Sequence, residues 1–290
     1  MAVKEKNELN RKYLWLGVLA VITGMLALVL LVRGMGVSER PKGASEPETT
    51  WLPTELDETL PEETVLLPQR NPYGPMDFQY DGFYLTCIAG ESHLGIDVSE
   101  HQQQIDWEQV AGSGVEYAMI RIGYRGFGQD GALHEDSRAR ENLEGAEQAG
   151  LDVGAYFFSQ AVTPEEALEE ALMVLDFLNG RPLDMPVVYD WEHVSAADAR
   201  TNQVDPDTLM ACVVTFCETI KRAGYEPMVY FNQSLAGTML DLTKLESYDF
   251  WLAMYSDRMT YPYRVDMWQY TCEGTVPGIA VPVDLNLYLP

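Results

Sequence analysis

Two carboxylates end a short apolar run at residues 187–192, and their spacing suggests chemistry. The run begins Val187-Val188 and ends Asp190-Trp191-Glu192, which is typical of a buried strand that reaches the protein surface. Side chains on a strand alternate between faces, so Asp190 and Glu192 are predicted to share one face. At a rise of about 3.3 Å per residue, their positions lie roughly 6.6 Å apart.

Such a pair suits the hydrolysis of a glycosidic bond. Two carboxylates this close repel when both are ionised, so one of them should keep its proton to a higher pH than usual. A glycosidase needs a protonated group for the leaving oxygen and a charged partner. A strand whose acids merely meet water would show the same short pattern, so the rest of the chain has to support the catalytic interpretation.

The elements around this pair predict an α/β barrel. After residue 71, short apolar runs alternate with helical patterns. Strands are predicted at 95–99, 117–122, 153–158, 186–190, 227–231, 250–254, 265–270 and 283–287, and helices at 107–113, 137–149, 163–178 and 206–223. Five strands that alternate with helical segments, followed by three strands with little helix between them, predict a parallel, eight-stranded closed barrel, a TIM-like (β/α)5(β)3 fold.

In barrels of this kind the reacting groups lie at the carboxyl ends of the strands. Asp97 ends the first predicted strand, Asp190 and Glu192 end the fourth, and Asp284 begins the last, so four acids are expected at one mouth. Aromatic side chains suited to stacking on sugar rings are available nearby, namely Tyr156, Phe158, Tyr230, Tyr255, Trp268 and Tyr270. Each of these alone is also typical of a core residue, so the cluster carries more weight than its members.

Charge and composition exclude several classes of function. The formal net charge of −26 argues against nucleic acid as a partner, because phosphate binding needs a basic face. The four cysteines and four histidines match no zinc-binding spacing, and no metal or cofactor is predicted. An even number of cysteines permits disulfides, and Cys87 with Cys272 is the one bridge that we consider, alongside no bridge at all.

The amino-terminal region predicts a membrane anchor. Residues 13–32 form an uncharged, apolar run of 20 residues, long enough to cross a bilayer as a helix. Arg33-Gly34 follows in place of a small-residue cleavage site, which favours a retained signal anchor over a cleaved signal peptide. The basic residues of segment 1–12 predict a cytoplasmic amino terminus and an extracytoplasmic remainder, in a single-pass protein of the cell membrane.

Three further segments complete the predicted organisation. Residues 33–71 are acidic and rich in proline, a composition typical of an extended, disordered stalk. Residues 72–93 are predicted to be an amino-terminal extension of the barrel, and residues 94–290 to be the catalytic domain.

The ordered motifs of this domain resemble those of the family 25 glycoside hydrolases, the lysozymes that act as N-acetylmuramidases. The resemblance covers residues 94–288, and its marks are Gly95-Ile96-Asp97-Val98-Ser99, Ala118-Met119-Ile120-Arg121, Gly154-Ala155-Tyr156-Phe157-Phe158-Ser159, Asp190-Trp191-Glu192, Trp251-Leu252-Ala253-Met254-Tyr255, Trp268-Gln269-Tyr270 and Val283-Asp284-Leu285-Asn286. It implies a flattened, irregular barrel and cleavage of the β-1,4 bond between N-acetylmuramic acid and N-acetylglucosamine in peptidoglycan glycan strands.

The resemblance also implies roles for individual residues. Glu192 corresponds to the general acid and base, and Asp190 to the residue that assists the substrate's own acetamido group. Asp97 and Asp284 correspond to acids of the opposite wall, which bind the sugar or orient water. The expected substrate-binding residues are Tyr156, Phe158, Tyr230, Asn232, Tyr255, Trp268 and Gln269.

Some questions stay open at this stage. Acetamido assistance would retain the configuration at the anomeric carbon, whereas water activated by Asp97 or Asp284 would invert it. Gln103 and Phe157 stand where the family commonly has Gly and His, which could alter the sugars that fit. A non-catalytic glycan-binding module on the same barrel, or a structural protein of the cell envelope, remains the alternative to an enzyme, and protein partners are not indicated.

Overall fold

The computed structural model describes residues 67–290. The predicted cytoplasmic tail, the predicted membrane span at 13–32 and most of the predicted stalk lie outside these described residues. Within residues 67–290, no helix has the length and apolar character needed to cross a membrane.

The described chain alternates strands and helices. The strands are β1 (Phe78–Asp81), β2 (Tyr84–Cys87), β3 (His93–Val98), β4 (Tyr117–Arg125), β5 (Leu133–Glu135), β6 (Asp152–Ser159), β7 (Val187–Trp191), β8 (Pro227–Asn232), β9 (Asp249–Ala253), β10 (Met267–Gly274) and β11 (Val283–Tyr288). The α-helices are α1 (Trp107–Gly112), α2 (Ala139–Gln148), α3 (Pro164–Leu178), α4 (Pro206–Arg222) and α5 (Gln233–Thr238). The prolines that were predicted to open α3 and α4 follow the capping residues Thr163 and Asp205.

Eight of the strands close into a barrel, as the sequence predicted. Their order is β3, β4, β6, β7, β8, β9, β10 and β11, and β11 pairs with β3 to complete the circle. Five strand–helix units precede three strands that no α-helix separates, which agrees with the predicted (β/α)5(β)3 pattern. The short strand β5 pairs only with β4, outside the closed circle.

The prediction that all eight strands run parallel was wrong. The barrel strands β3, β4, β6, β7, β8, β9 and β10 are parallel, but β11 runs antiparallel to both of its neighbours. Only a short connection, residues 275–282, joins β10 to β11, whereas a parallel pair needs a crossover of about a dozen residues or more. As a result β11 begins at the mouth of the barrel, where the other strands end, and this brings Asp284 to the mouth.

Side chains of the barrel strands divide between two layers. The interior holds Tyr117, Met119, Tyr156, Val188, Met228, Tyr230, Trp251 and Met267. Residues of the opposite parity, such as Tyr189 and Trp191, pack outward beneath the helices. The predicted alternation along β7 is therefore observed, with Val188 and Asp190 on the inner side.

An amino-terminal segment packs against the outside of the barrel. Residues 69–71, which the sequence analysis places at the end of the stalk, form backbone hydrogen bonds with Pro262 and Arg264. The hairpin β1–β2 follows, and Phe78 packs edge-to-face on Trp268 with ring centroids 5.1 Å apart. Composition could not indicate this docking, because it depends on backbone pairing with a distant loop.

The cysteines are all unpaired thiols. Cys87, Cys212 and Cys217 are buried and Cys272 is exposed, so the bridge considered between Cys87 and Cys272 is absent from the structure. Burial raises the pKa of Cys212 to about 12, as expected for an apolar core residue and not for a reactive thiol.

Candidate active site

A cavity of about 240 Å³ opens at the mouth of the barrel. Its walls include all four predicted acids, Asp97, Asp190, Glu192 and Asp284. The strands that carry these acids are β3, β7 and β11, which the closed barrel brings to one end. The acids that lie far apart in the sequence therefore share a single cavity.

Strand β7 supplies the acid pair. Asp190 is 6% exposed, and its Oδ1 atom has no hydrogen-bond partner among the described residues. Glu192 directly follows the strand and lies half-buried at the cavity wall. Between them Trp191 points outward, and its Nε1 donates to the Ala161 carbonyl at 2.9 Å. This outward anchor keeps the two carboxyl groups directed inward.

Asp97 belongs to a hydrogen-bond network at the opposite wall. Its Oδ2 atom accepts from Gln269 Nε2 at 2.8 Å and from Asn286 Nδ2 at 2.9 Å. The amide oxygen of Gln269 in turn accepts from the hydroxyl groups of Tyr230 and Tyr255, at 3.1 and 3.2 Å. Because each amide donates on one side and accepts on the other, the network holds Asp97 in one orientation.

The antiparallel strand β11 completes this wall. Asp284 is the cross-strand partner of Asp97, so both side chains leave the sheet on the same side. Asn286 lies two residues further along β11, and its Oδ1 atom accepts from Trp251 Nε1 at 2.9 Å. Trp251 also forms part of the cavity wall.

Burial of four acids in one cavity raises their pKa values. Burial, partly offset by the hydrogen bonds from Asn286 and Gln269, raises the pKa of Asp97 to about 6. Burial and the charge of Asp97 raise the pKa of Glu192 to about 7 and that of Asp284 to about 8. Near neutral pH the cluster therefore carries fewer than four negative charges, as a site that must donate a proton requires.

Asp190 is the most strongly affected of these groups. Burial, followed by the charges of Glu192 and Asp97, raises its pKa well above the usual range. The nearby Arg121 guanidinium acts in the other direction. Because the Asp190 carboxyl has an oxygen without a donor, a substrate N–H group placed there would favour its ionised form.

Arg121 was not singled out for the site by sequence reasoning, although it stood in a quoted motif. It is 9% exposed, lines the cavity, and donates from Nε to Asp136 Oδ2 at 2.7 Å. A charged residue within the apolar run of β4 was the available signal, because a buried charge needs a partner. Other residues of the cavity wall that were not predicted are Ser99, His101, Gln102 and Trp251.

Five of the seven predicted substrate-binding residues line the cavity: Tyr156, Phe158, Tyr230, Tyr255 and Gln269. Trp268 does not, because on β10 it alternates with the inward-facing Met267 and Gln269 and is buried in the outer layer. Asn232 does not line it either, since its side chain caps α5 by accepting from the backbone of Ser234 and Leu235. Tyr270 shares the outward parity of Trp268.

The other cavities and side-chain clusters of the described chain are weaker candidates for the active site than the mouth cavity. A cavity of about 540 Å³ lies at the opposite end of the barrel, lined by residues at the amino-terminal ends of parallel strands. Barrels of this type place their chemistry at the carboxyl ends, which favours the mouth cavity. Among residues 67–290, no group of three or more His, Cys, Asp and Glu side chains is arranged to hold a metal ion.

Paired carboxyl groups at the mouth of a closed α/β barrel are the kind of active site that glycosidases use. The family model of glycosyl hydrolases family 25 matches residues 96–279, more than half of the chain. The chain therefore belongs to this family and is a glycoside hydrolase.

Relatives and solved structures agree with this assignment. The chain is 28% identical over 223 residues to the uncharacterized protein YegX of Escherichia coli, covering 71% of this chain and 73% of YegX. It is 26% identical over 198 residues to the autolytic lysozyme of Clostridium acetobutylicum, covering 66% of this chain and 54% of that protein. The structure of the autolysin LytC of Streptococcus pneumoniae with a synthetic peptidoglycan ligand has a TM-score of 0.61 and 26% identity, covering 68% of this chain. The chain spans about half of LytC, 47% of its length.

Proposed function

We propose that this glycoside hydrolase cleaves peptidoglycan, at the β-1,4 bond between N-acetylmuramic acid and N-acetylglucosamine. The observation that carries the proposal is the inner face of β7, where Asp190 and Glu192 share one cavity. Family membership supports a glycosidase, and two relatives support the substrate: one named autolytic lysozyme and one solved with a peptidoglycan ligand. A non-catalytic binding module would have no need for a carboxyl group whose pKa is raised to about 7.

Glu192 is the proposed general acid and base. With a pKa of about 7 it is largely protonated in slightly acidic solution and can donate to the glycosidic oxygen. After the leaving group departs, the ionised carboxylate can activate a water molecule. Its half-buried position at the cavity wall leaves it accessible to both the sugar and the water.

Asp190 is the proposed partner of the substrate's acetamido group. The acetamide N–H would donate to its unpartnered Oδ1 atom, and this hydrogen bond favours the ionised carboxylate. As the acetamide oxygen attacks the anomeric carbon, the ring that forms is positively charged, and the carboxylate stabilises it. Asp190 lies on β7 and Glu192 directly follows it, so both carboxyl groups come from one side of the cavity, which suits this route better than attack from opposite faces of the sugar.

The remaining wall holds the sugar. Asp97 is fixed by two amide donors, and Asp284 opposite it has a pKa of about 8, so at neutral pH Asp284 can donate to a sugar hydroxyl while Asp97 accepts from one. Tyr156 and Tyr230 lie in the barrel interior and line the same cavity. These residues bind substrate and do not transfer the proton in this scheme.

We further propose that residues 13–32 anchor the protein in the cell membrane, with the amino terminus in the cytoplasm and the barrel outside. The uncharged run of 20 residues and its basic flank support this proposal. Membrane fractionation and protease protection of the full chain test it. Protection of segment 1–12 with cleavage of the barrel in intact cells is expected, and full accessibility or full protection of both would contradict it.

The proposed reaction is tested with purified cell wall. Wild-type protein should release new reducing ends, whereas Glu192→Gln should release them about 10²- to 10⁴-fold more slowly, because Gln keeps the shape without the proton. Glu144→Gln, at an exposed position on α2, is the matched control and should match the wild type. A Glu192→Gln variant with more than a tenth of the wild-type rate would exclude Glu192 as the acid.

A further inference from the structure

The hairpin β1–β2 has an unusual distribution of exposed apolar side chains. Phe83, in the two-residue turn of the hairpin, is 89% exposed. Met76, which precedes β1, is 77% exposed, and Tyr80 on β1 is 54% exposed. The hairpin precedes the residues matched by the family model, which begin at 96. It therefore lies outside the residues that the family model matches, and its exposed apolar side chains are typical of a binding surface.

The hairpin runs along β10 toward the mouth of the barrel. Near its base Phe78 packs on Trp268, and Leu85 donates its backbone N–H to the Tyr270 hydroxyl two residues further along β10. The strand β10 points toward the mouth, so the turn at Gly82-Phe83 lies beyond Tyr270 on the mouth side. The exposed aromatic groups are thus carried to the end of the barrel that holds the active site.

Tyr80 should be buried if the hairpin only packed on the barrel. Phe78 and Tyr80 share one face of β1, because strand side chains alternate. Phe78 is 7% exposed, whereas Tyr80 on the same face is 54% exposed. Tyr80 instead lines a cavity of about 150 Å³, which it shares with Met76, Asp257 and Arg258.

One short loop lines both this cavity and the active site. Tyr255 lines the catalytic cavity and Asp257, two residues later, lines the hairpin cavity. The loop is fixed to β10, since the backbone N–H of Ser256 donates to the Tyr270 carbonyl at 3.0 Å. Tyr270 therefore joins the loop on one side and the hairpin on the other, so the two cavities border the same segment.

The chemistry of the hairpin cavity matches a sugar. Tyr80 offers an aromatic face for the apolar face of a pyranose ring, and Met76 adds an apolar edge. Asp257 and Arg258 are exposed and form no ion pair with other residues of 67–290, so an acceptor and a donor are available for hydroxyl and acetamido groups.

We propose that Tyr80, Met76, Asp257 and Arg258 form an additional subsite that binds a further sugar of the glycan strand whose cleavage occurs beside Glu192. The proposal rests on the proposed function, because it assigns the occupant as the same polymer. The subsite would make the enzyme favour long glycan strands over short fragments that fill only the catalytic cavity.

The test compares two substrates in the full chain. Peptide-free glycan strands from amidase-treated wall can reach the subsite, whereas the tetrasaccharide of alternating N-acetylglucosamine and N-acetylmuramic acid is the short substrate. Tyr80→Ala should raise KM for the long strands about twofold to tenfold, a loss typical of one aromatic contact, with kcat unchanged. With the tetrasaccharide both constants should equal those of the wild type.

Matched variants separate stacking from structural effects. Tyr80→Phe keeps the ring and should retain most of the long-strand advantage. Leu172→Ala, at an exposed apolar position on α3, should change neither substrate. Thermal unfolding of all three variants reports whether the fold is kept, and long-strand affinity in a Glu192→Gln background measures the contact without turnover.

The outcomes distinguish the two proposals. If wild-type protein cleaves both substrates and Tyr80→Ala leaves KM for long strands unchanged, the subsite is excluded while the function stands. An equal loss with both substrates would also exclude it, because the effect would then act on the catalytic cavity. If wild-type protein cleaves neither substrate, the proposed function itself fails.

Discussion

Asp97 and Asp284 face each other directly across the antiparallel pairing of β3 and β11. Like charges at such a pair repel, so ionisation of one carboxyl group raises the pKa of the other. Asp97 nevertheless has the lower pKa, about 6 against about 8, since Gln269 and Asn286 donate to it. The pair therefore offers one ionised and one protonated carboxyl at neutral pH.

The pH dependence of the reaction follows from two of these groups. The productive form has Asp97 ionised and Glu192 protonated, and with pKa values of about 6 and about 7 it is most populated between those limits. We expect a narrow bell-shaped profile of kcat/KM with its maximum between pH 6 and 7. A rate that kept rising to pH 9 would contradict the role of Glu192 as a proton donor.

Two substitutions should separate the charges that act on Glu192. Asp97→Asn removes a charge that raises the pKa of Glu192, so the alkaline limb should move to lower pH. Asp190→Asn should leave this limb in place, because the pKa of Glu192 is raised by burial and by the charge of Asp97, and not by Asp190. Profiles of kcat/KM for both variants provide the measurement, and an alkaline limb shifted by Asp190→Asn alone would reverse the assignment.

Asp190→Asn should nevertheless slow cleavage strongly. An amide cannot supply the negative charge that stabilises the cyclised acetamido sugar. A thiazoline mimic of that intermediate should therefore bind the wild type much more tightly than the variant. Equal affinity for both proteins, together with inverted configuration in the product, would assign water activation to Asp97 or Asp284 instead.

Glu192 should also destabilise the folded protein at high pH. Its pKa of about 7 in the folded state exceeds the ordinary 4.5, so the unfolded chain loses the proton first as pH rises, and stability falls across that window. Glu192→Gln should raise the free energy of unfolding at pH 8 by on the order of 1–3 kcal/mol and change it little at pH 4. Urea denaturation at the two pH values checks this, and equal effects at both would contradict it.

Close packing in the barrel interior should make Gly95→Ala destabilising. A Cβ atom there would lie 2.1–2.3 Å from the Tyr117 ring, so Gly95→Ala forces a buried aromatic side chain to move. We expect a loss of about 1–3 kcal/mol or more in the free energy of unfolding. Gly112→Ala, where a Cβ would meet nothing within 4 Å, is the control and should be nearly neutral. Equal midpoints of urea denaturation for the two variants would contradict this packing.

The sequence predicted the parts of the fold that local patterns determine. Alternation along β7 placed Asp190 and Glu192 on one side, and the five strand–helix units indicated the barrel. The reversal of β11 depends on a short connection whose path no periodicity reveals. Likewise Trp268 was assigned to the site from its motif, although its neighbours Met267 and Gln269 occupy the inward positions. The network that fixes Asp97 links residues up to 189 positions apart and could not be predicted locally.

The proposed muramidase reaction is identified by the bond that is cut. Purified peptidoglycan is digested with the full chain, the products are reduced with borohydride, and their masses and fragmentation identify the terminal sugar alcohol. The wild type and Glu144→Gln should form reduced N-acetylmuramic acid at the new ends, and Glu192→Gln should not. Reduced N-acetylglucosamine at those ends, or equal product from Glu192→Gln, would contradict the proposed reaction.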